Sequence, residues 1–206
     1  AEVRGFLSFG AYQMAENTIN YFSSNFDVIL IGRLLGAEAL GLYSVAKKFI
    51  MRPAEIINPV VTRVSLPVMA KVQDDAARLR AIYLQTTNSL SSLNFPIYLA
   101  ICIFADEITL ILFGAKWLSA VPVMQVLAIF GALRSTLNPV GSLLLAKGRA
   151  DLGFWWNLGL FIFVPVGVYI GTTWGIIGAA WSLLAIQFAL MIPSWFFLVR
   201  PLCKAG

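Results

Sequence analysis

Charged and amide side chains recur at helical spacing inside stretches otherwise apolar enough to cross a membrane. Between Phe6 and Val72 these are Glu16, Asp27, Arg33, Lys47, Lys48, Arg52, Glu55 and Arg63. A charge at bilayer depth is expensive, so it faces a bundle interior or a water-filled cavity and marks function. In the first stretch Gln13, Glu16, Asn20, Ser23 or Ser24, and Asp27 fall on one helical face. Asn and Ser alone would suffice for a hydrogen-bonded seam between helices. Two acids in the stripe point instead to a hydrated cavity wall.

The second stretch places Lys48, Arg52 and Glu55 on one face by four- and three-residue spacing. Lys47 falls to one side, where its ammonium could snorkel outward, and Arg63 lies two turns beyond Glu55. Partial pairing with Glu16 and Asp27 is expected, because an unpaired buried charge is costly. Complete pairing is not available: Lys47, Lys48, Arg52 and Arg63 outnumber Glu16, Asp27 and Glu55 before Arg134 is added. Surplus cation in a cavity calls for an anion. Arg grips phosphate oxygens bidentately and Lys acts as a point charge, so a phosphate-bearing ligand suits the site. Arg134 is followed one turn later by Asn138, where Asn138-Pro139 with Gly141 should unwind or kink the helix. A packing kink and a functional break both remain open there.

The elements that must position these residues are membrane helices. The chain has 206 residues, 59% of them hydrophobic, with a mean hydropathy of +0.82 and only 12% charged. That is about half the ~25% charge of soluble domains. We read an all-α integral membrane protein, a single bundle of six transmembrane helices over 1–206. The approximate helices are 6–34, 39–72, 76–105, 118–146, 152–172 and 175–199. The second contains Pro53, Pro59 and Pro67 and should be kinked, tilted or projecting. The fifth and sixth are the most apolar and should face lipid, with Trp155, Trp156, Trp174 and Trp195 as interfacial anchors. The segment around DEITLILFGAKW reads as a short amphipathic helix at the outer interface. Position 1 is Ala, and Ala1–Arg4 resembles neither a signal nor a transit peptide, so we read a piece of a longer protein.

Several function classes fall away. The net charge of +5 is spread over the ends of apolar segments and not over a soluble face with aromatics, so nucleic acid is not a partner. The chain has no His, no P-loop and no nucleophile elbow, and Cys102 and Cys203 form no metal spacing. No cofactor, metal site or catalytic residue is expected, and the protein is read as not an enzyme.

The combined pattern resembles the second half of Wzx-type polysaccharide flippases, in the colanic-acid and lipopolysaccharide exporter branch of the multidrug/oligosaccharidyl-lipid/polysaccharide superfamily. The matching residues are Asn25-x-Asp27, Ile31-Gly32-Arg33-x-Leu35-Gly36, Leu40-Gly41-x-Tyr43, Pro59 to Pro67 and Gln73-Asp74-Asp75. Leu112-Phe113-Gly114-x-Lys116-Trp117, Leu133-Arg134-Ser135 and Asn138-Pro139-x-Gly141-Ser142 extend the match. The resemblance covers nearly the whole chain. It implies the carboxyl-terminal lobe of a two-lobed transporter that moves undecaprenyl-pyrophosphate-linked oligosaccharide units by alternating access around a cationic cavity. The implied partners are a polyprenyl-pyrophosphate oligosaccharide, membrane lipid and an amino-terminal lobe of the same protein. Lys48, Arg52, Arg63, Arg134, Glu16, Asn20, Asp27, Glu55 and Asn138 are the expected cavity residues. A cation-coupled multidrug or small-solute antiporter of the same superfamily is the alternative, with Glu16, Asp27 and Glu55 as ion sites. A polymer-assembly enzyme is the third reading, disfavoured by the lack of a long extracytoplasmic loop.

Basic residues set the orientation. Arg4, Lys71, Arg78, Arg80, Lys147, Arg149, Arg200 and Lys204 fall on one side, against Arg33 and Lys116 on the other. Positive loops stay cytoplasmic, so both ends of the segment should lie in the cytoplasm of a bacterial inner membrane. Single-cysteine labelling from outside is expected to modify positions 37 and 115 and spare 77 and 148; the opposite pattern would invert the topology.

Overall fold

The computed structural model describes the backbone of residues 2–204 and the side chains of 10 and 13–203. Arg4 and Lys204, counted above toward the basic side, have side chains outside the described residues. The described residues are helical throughout, with no strand: α1 (Glu2–Leu34), α2 (Gly36–Lys71), α3 (Ala76–Ile103), α4 (Ala105–Leu112), α5 (Val121–Thr136), α6 (Pro139–Ala146), α7 (Ala150–Thr172), α8 (Gly175–Ser194) and α9 (Arg200–Lys204). A 3₁₀ segment at Ala115–Ala120 leads into α5, and a π-helical stretch at Trp195–Val199 joins α8 to α9.

Local chemistry explains the boundaries. Gly36 and Gly175 sit at φ +86° and +74°, a region that disfavours residues with a Cβ, and they let α1 turn into α2 and α7 into α8. The Asp75 side chain accepts from the Arg78 backbone N–H at 3.0 Å and caps α3. The segment expected at 118–146 begins its α-helix only at Val121 and breaks at Leu137–Asn138, because Pro139 supplies no N–H and opens a new helix as its first residue. α4 leaves α3 at 77°, which fits the amphipathic segment expected there, and the Lys116 ammonium stands 5.6 Å from the Trp117 ring.

Three stretches are long and apolar enough to cross a membrane: Ala115–Ala146, Ala150–Thr172 and Gly175–Cys203. The bent pair α3 and α4 would make a fourth. α1 and α2 are long enough but too charged to qualify by composition. α2 runs unbroken through Pro53, Pro59 and Pro67 for 36 residues. At 1.5 Å per residue that is about 54 Å, well beyond a ~30 Å hydrocarbon layer.

Two apolar clusters hold the helices together. One gathers Ile31, Ile50, Met124, Leu127, Ala180 and their neighbours from α1, α2, α5 and α8. The other joins Met69, Leu79, Leu143 and Leu198. Between α2 and α3 runs a polar seam: Asn94 donates to Asn58 at 3.3 Å and Thr86 to Ser65 at 3.3 Å. Such hydrogen bonds select partners where lipid and side chains are equally apolar. α7 and α8 keep most of their surface outward, as expected of lipid-facing helices. Two expectations for them need correction. Leu184 is packed in the first cluster and not turned to lipid, because it lies on the α8 stripe that meets α5. Trp156 packs against the second cluster, while Trp155 and Trp174 stay exposed.

α7 and α8 touch backbone to backbone. A Cβ added at Gly171 would stand 2.6 Å from the Gly178 carbonyl oxygen, and one at Gly178 would run into the Gly171 carbonyl. Backbone cannot step aside as a side chain can. Gly171→Ala is therefore expected to force the pair apart and destabilise the protein by roughly 1–3 kcal/mol, the usual scale of overpacking. Thermal unfolding in detergent checks this, with Gly159→Ala as a neutral control, since a Cβ there meets nothing within 4 Å.

Candidate functional site

The acids of α1 meet different fates. Asp27 is 2% exposed and is enclosed by α2. The Lys47 ammonium donates to both of its carboxylate oxygens at 2.7 Å and to the Ser24 backbone carbonyl at 2.6 Å. The Tyr43 hydroxyl donates to Asp27 Oδ2 at 2.5 Å. Tyr43 and Lys47 lie four residues apart on α2, so one helical face presents both donors to the carboxylate. Arg134 of α5 closes the group by donating from Nη2 to the Ser24 hydroxyl at 3.1 Å, with its guanidinium 5.8 Å from the Phe130 ring. A clasp of one acid, one ammonium, one phenol and one guanidinium thus ties α1, α2 and α5 together.

This corrects the expectation for Lys47, which does not turn aside to snorkel. It is the residue that neutralises Asp27, because α1 crosses α2 on the Tyr43–Lys47 face and not on the Lys48–Arg52 face. Lys48, Arg52, Glu55 and Arg63 instead line the opposite, open face of α2, all exposed. On it Arg52 pairs with Glu55 at 3.3 Å, but the side chains are 72% and 58% exposed, so this contact contributes little on its own. No described acid pairs with Lys48 or Arg63. The cation surplus read from the sequence therefore lies on one surface.

Glu16 points away from that surface. α1 packs most extensively on α7, and there the Asn157 amide donates to Glu16 Oε1 at 3.3 Å. Gly153 makes room: a Cβ at that position would lie 2.6 Å from the same oxygen. The stripe expected along α1 thus divides between Asp27 against α2 and Glu16 against α7, while Asn20 stays exposed. Asn138 accepts a hydrogen bond from the Thr62 hydroxyl at 3.0 Å, so the break between α5 and α6 is tied to α2 one residue before Arg63. Among the described residues no three His, Cys, Asp or Glu side chains gather closely enough to hold a metal.

Sequence reasoning missed Tyr43, Ser24 and Asn157. Spacing could have found Tyr43, which precedes Lys47 by one turn in an otherwise apolar run. Asn157 carries the same kind of signal, as an amide in a helix of aromatic and aliphatic residues.

These features define a helical, multi-pass membrane protein with a neutralised charge cluster inside and an open cationic face on α2. Residues 1–122 match the family model described as polysaccharide biosynthesis protein. The chain belongs to this family, which bears out the resemblance to Wzx-type polysaccharide flippases. It is 41% identical over 180 residues to the teichuronic acid biosynthesis protein TuaB of Bacillus subtilis (strain 168), covering 87% of this chain and 37% of that protein. It is 37% identical over 202 residues to the lipopolysaccharide biosynthesis protein WzxC of Escherichia coli (strain K12), covering 98% of this chain and 41% of that one. The succinoglycan biosynthesis transport protein ExoT of Rhizobium meliloti (strain 1021) is 26% identical over 152 residues, 74% of this chain and 30% of its own. The chain therefore spans about two fifths or less of the length of these relatives. No solved structure matches it.

Removing the ammonium leaves Asp27 as an uncompensated buried charge. Lys47→Ala is expected to lower stability by about 3–5 kcal/mol, the scale of a broken buried pair. Lys48→Ala should stay within about 0.5 kcal/mol, as for an exposed side chain away from such features. Thermal unfolding in detergent compares the two, and Asp27→Asn combined with Lys47→Met should recover most of the loss.

Proposed function

We propose that this chain is the carboxyl-terminal lobe of a flippase that exports polyprenyl-pyrophosphate-linked oligosaccharide units across a bacterial inner membrane. In this reading α1 and α2 cross the membrane with the four more apolar spans, making a six-helix lobe with both ends cytoplasmic. An amino-terminal lobe covers the open face of α2, and the cargo occupies the cavity between the lobes as access alternates from one side to the other.

The observation that carries the reading is the open α2 face. Lys48, Arg52 and Arg63 stand there in line with Glu55 as the one acid, while the buried acid Asp27 already has its own cation. An exposed cationic row on a membrane helix needs an anionic guest, and a pyrophosphate supplies oxygens for a bidentate guanidinium and a point-charge ammonium together. The apolar side chains Ile56, Val60 and Val64 alternate with the cations on the exposed surface of α2, which suits a lipid-linked anion better than a free one. Arg134 and Asn138 border the same helix through Ser24 and Thr62 and are proposed as flanking contacts. The names of the relatives, three of them biosynthesis proteins of surface polysaccharides and one of these a transport protein, support export over enzymatic assembly.

A cation-coupled antiporter reading uses Glu16, Asp27 and Glu55 as ion sites. The placement of Asp27 on Lys47 and of Glu55 beside Arg52 weighs against it for two of the three acids.

Arg52 separates cargo binding from simple charge balance. In the parent protein, Arg52→Ala is expected to cut export of the surface polymer by about tenfold or more, in line with the ~1.5–3 kcal/mol of a hydrogen bond to a charged group. The amount of inserted protein should not change. Arg52→Lys should restore export only in part, because it keeps the charge but not the fork. Arg52→Ala with Glu55→Ala should remain impaired; near-normal export from that double variant would assign the pair to structure.

A further inference from the structure

Among the described acids, Glu16 solves the problem of intramembrane charge differently from the others. Asp27 has Lys47, Glu55 has Arg52, Asp75 has Arg78 and Asp151 has Arg149. None of these ion pairs involves Glu16, whose hydrogen-bond partner is the neutral Asn157 amide. Its depth follows from α7, one of the stretches able to span a membrane. Asn157 lies seven residues from the start of that helix, about 10 Å along its axis at 1.5 Å per residue.

The charged and titratable groups around the site are all engaged elsewhere or distant along the helices. On α1, Asp27 lies three turns away inside its clasp. Facing it from α2 are Tyr43 and Lys47, both held on Asp27, and from α5 Arg134, held on Ser24. On α7, Arg149 and Asp151 bind each other at 2.8 Å at the helix start, and Tyr169 lies near the far end. α8 carries no titratable residue between Gly175 and Ser194.

A second observation comes from Gln13, one turn before Glu16 on the same face. Its side-chain carbonyl oxygen is buried and has no hydrogen-bond donor. An unmet acceptor beside a carboxyl group is the complement of the O–H that a neutral acid carries. Gly153 adds a third: only the absence of a Cβ lets the carboxyl group lie against the α7 backbone, an apolar surface that tolerates an acid far better than a carboxylate.

The structure assigns Glu16 as a reversible proton-binding site whose neutral form holds α1 against α7. The step is the addition of one proton from water to one carboxylate oxygen, with Oε1 still accepting from Asn157. On loss of the proton the carboxylate has no cation to meet and must gain water, so the α1–α7 contact loosens as pH rises through the group's titration. This inference stands on the placement of α1 against α7 and not on the identity of any cargo. It also removes Glu16 from the set of cargo contacts.

The test uses the protein in lipid nanodiscs, with no cargo added. Infrared titration is expected to show a protonated carboxylic acid at about pH 7, where an ordinary Glu is ionised. Glu16→Gln should remove that band, Glu16→Asp should keep a band at a shifted frequency, and Asp27→Asn should leave it in place. Spin labels at the exposed positions 17 and 155 should move apart on raising the pH in the otherwise native protein and stay together in Glu16→Gln. Absence of the band at neutral pH, or its survival in Glu16→Gln, overturns the assignment. A label distance indifferent to pH overturns the coupling to helix packing. Either failure would leave the flippase reading standing, since neither measurement involves export; an unaltered polymer yield in Arg52→Ala would sink that reading without touching Glu16.

Discussion

An ionised side chain in a bilayer must find its compensation inside the protein, and this requirement organises the fold. Asp27 and Lys47 meet it together. Neither would be stable alone on its helix, so α1 and α2 are committed to each other at one register, with Tyr43 and the Ser24 carbonyl completing the shell. A buried ion pair is weak evidence for net stability but a strong means of choosing one packing over another, as hydrophobic contact is nearly indifferent to register in a lipid environment. With α1 and α2 fixed in this way, the remaining cations of α2 face outward by geometry. The functional surface is thus a by-product of how the inner charge is neutralised.

The class of fold was legible because membrane chemistry is written in composition. Long apolar runs, tolerated prolines and basic loops survive without knowledge of contacts, and the break at Asn138-Pro139 follows from the missing proline N–H. Partner choice was not legible. Lys47 and Lys48 are chemically identical neighbours, and only the crossing of α1 over α2 decides which of them is buried. The same applies to Glu16 and Asp27, which share a helical face yet meet different helices, because α1 leans from α2 toward α7 along its length. Periodicity assigns a residue to a side of its own helix. It carries no information on which neighbour occupies that side.

The polar seam between α2 and α3 shows the limit from another direction. Asn58, Ser65, Thr86 and Asn94 are scattered through prolines and apolar residues, and each alone resembles an incidental polar group. Paired across the two helices they account for much of what distinguishes this contact from lipid, and they explain how a helix with three internal prolines stays continuous beside its neighbour.

The glycine contact between α7 and α8 has a mechanical consequence. Two helices whose backbones touch cannot slide or rotate past each other by changing rotamers, so they travel as a plate. Glu16 fastens α1 to that plate through Gly153 and Asn157, well away from the glycine crossing. A tilt of α1 would be carried outward through this rivet as a displacement of an entire lipid-facing panel, and the thickness and stiffness of the surrounding bilayer would push back along the same lever.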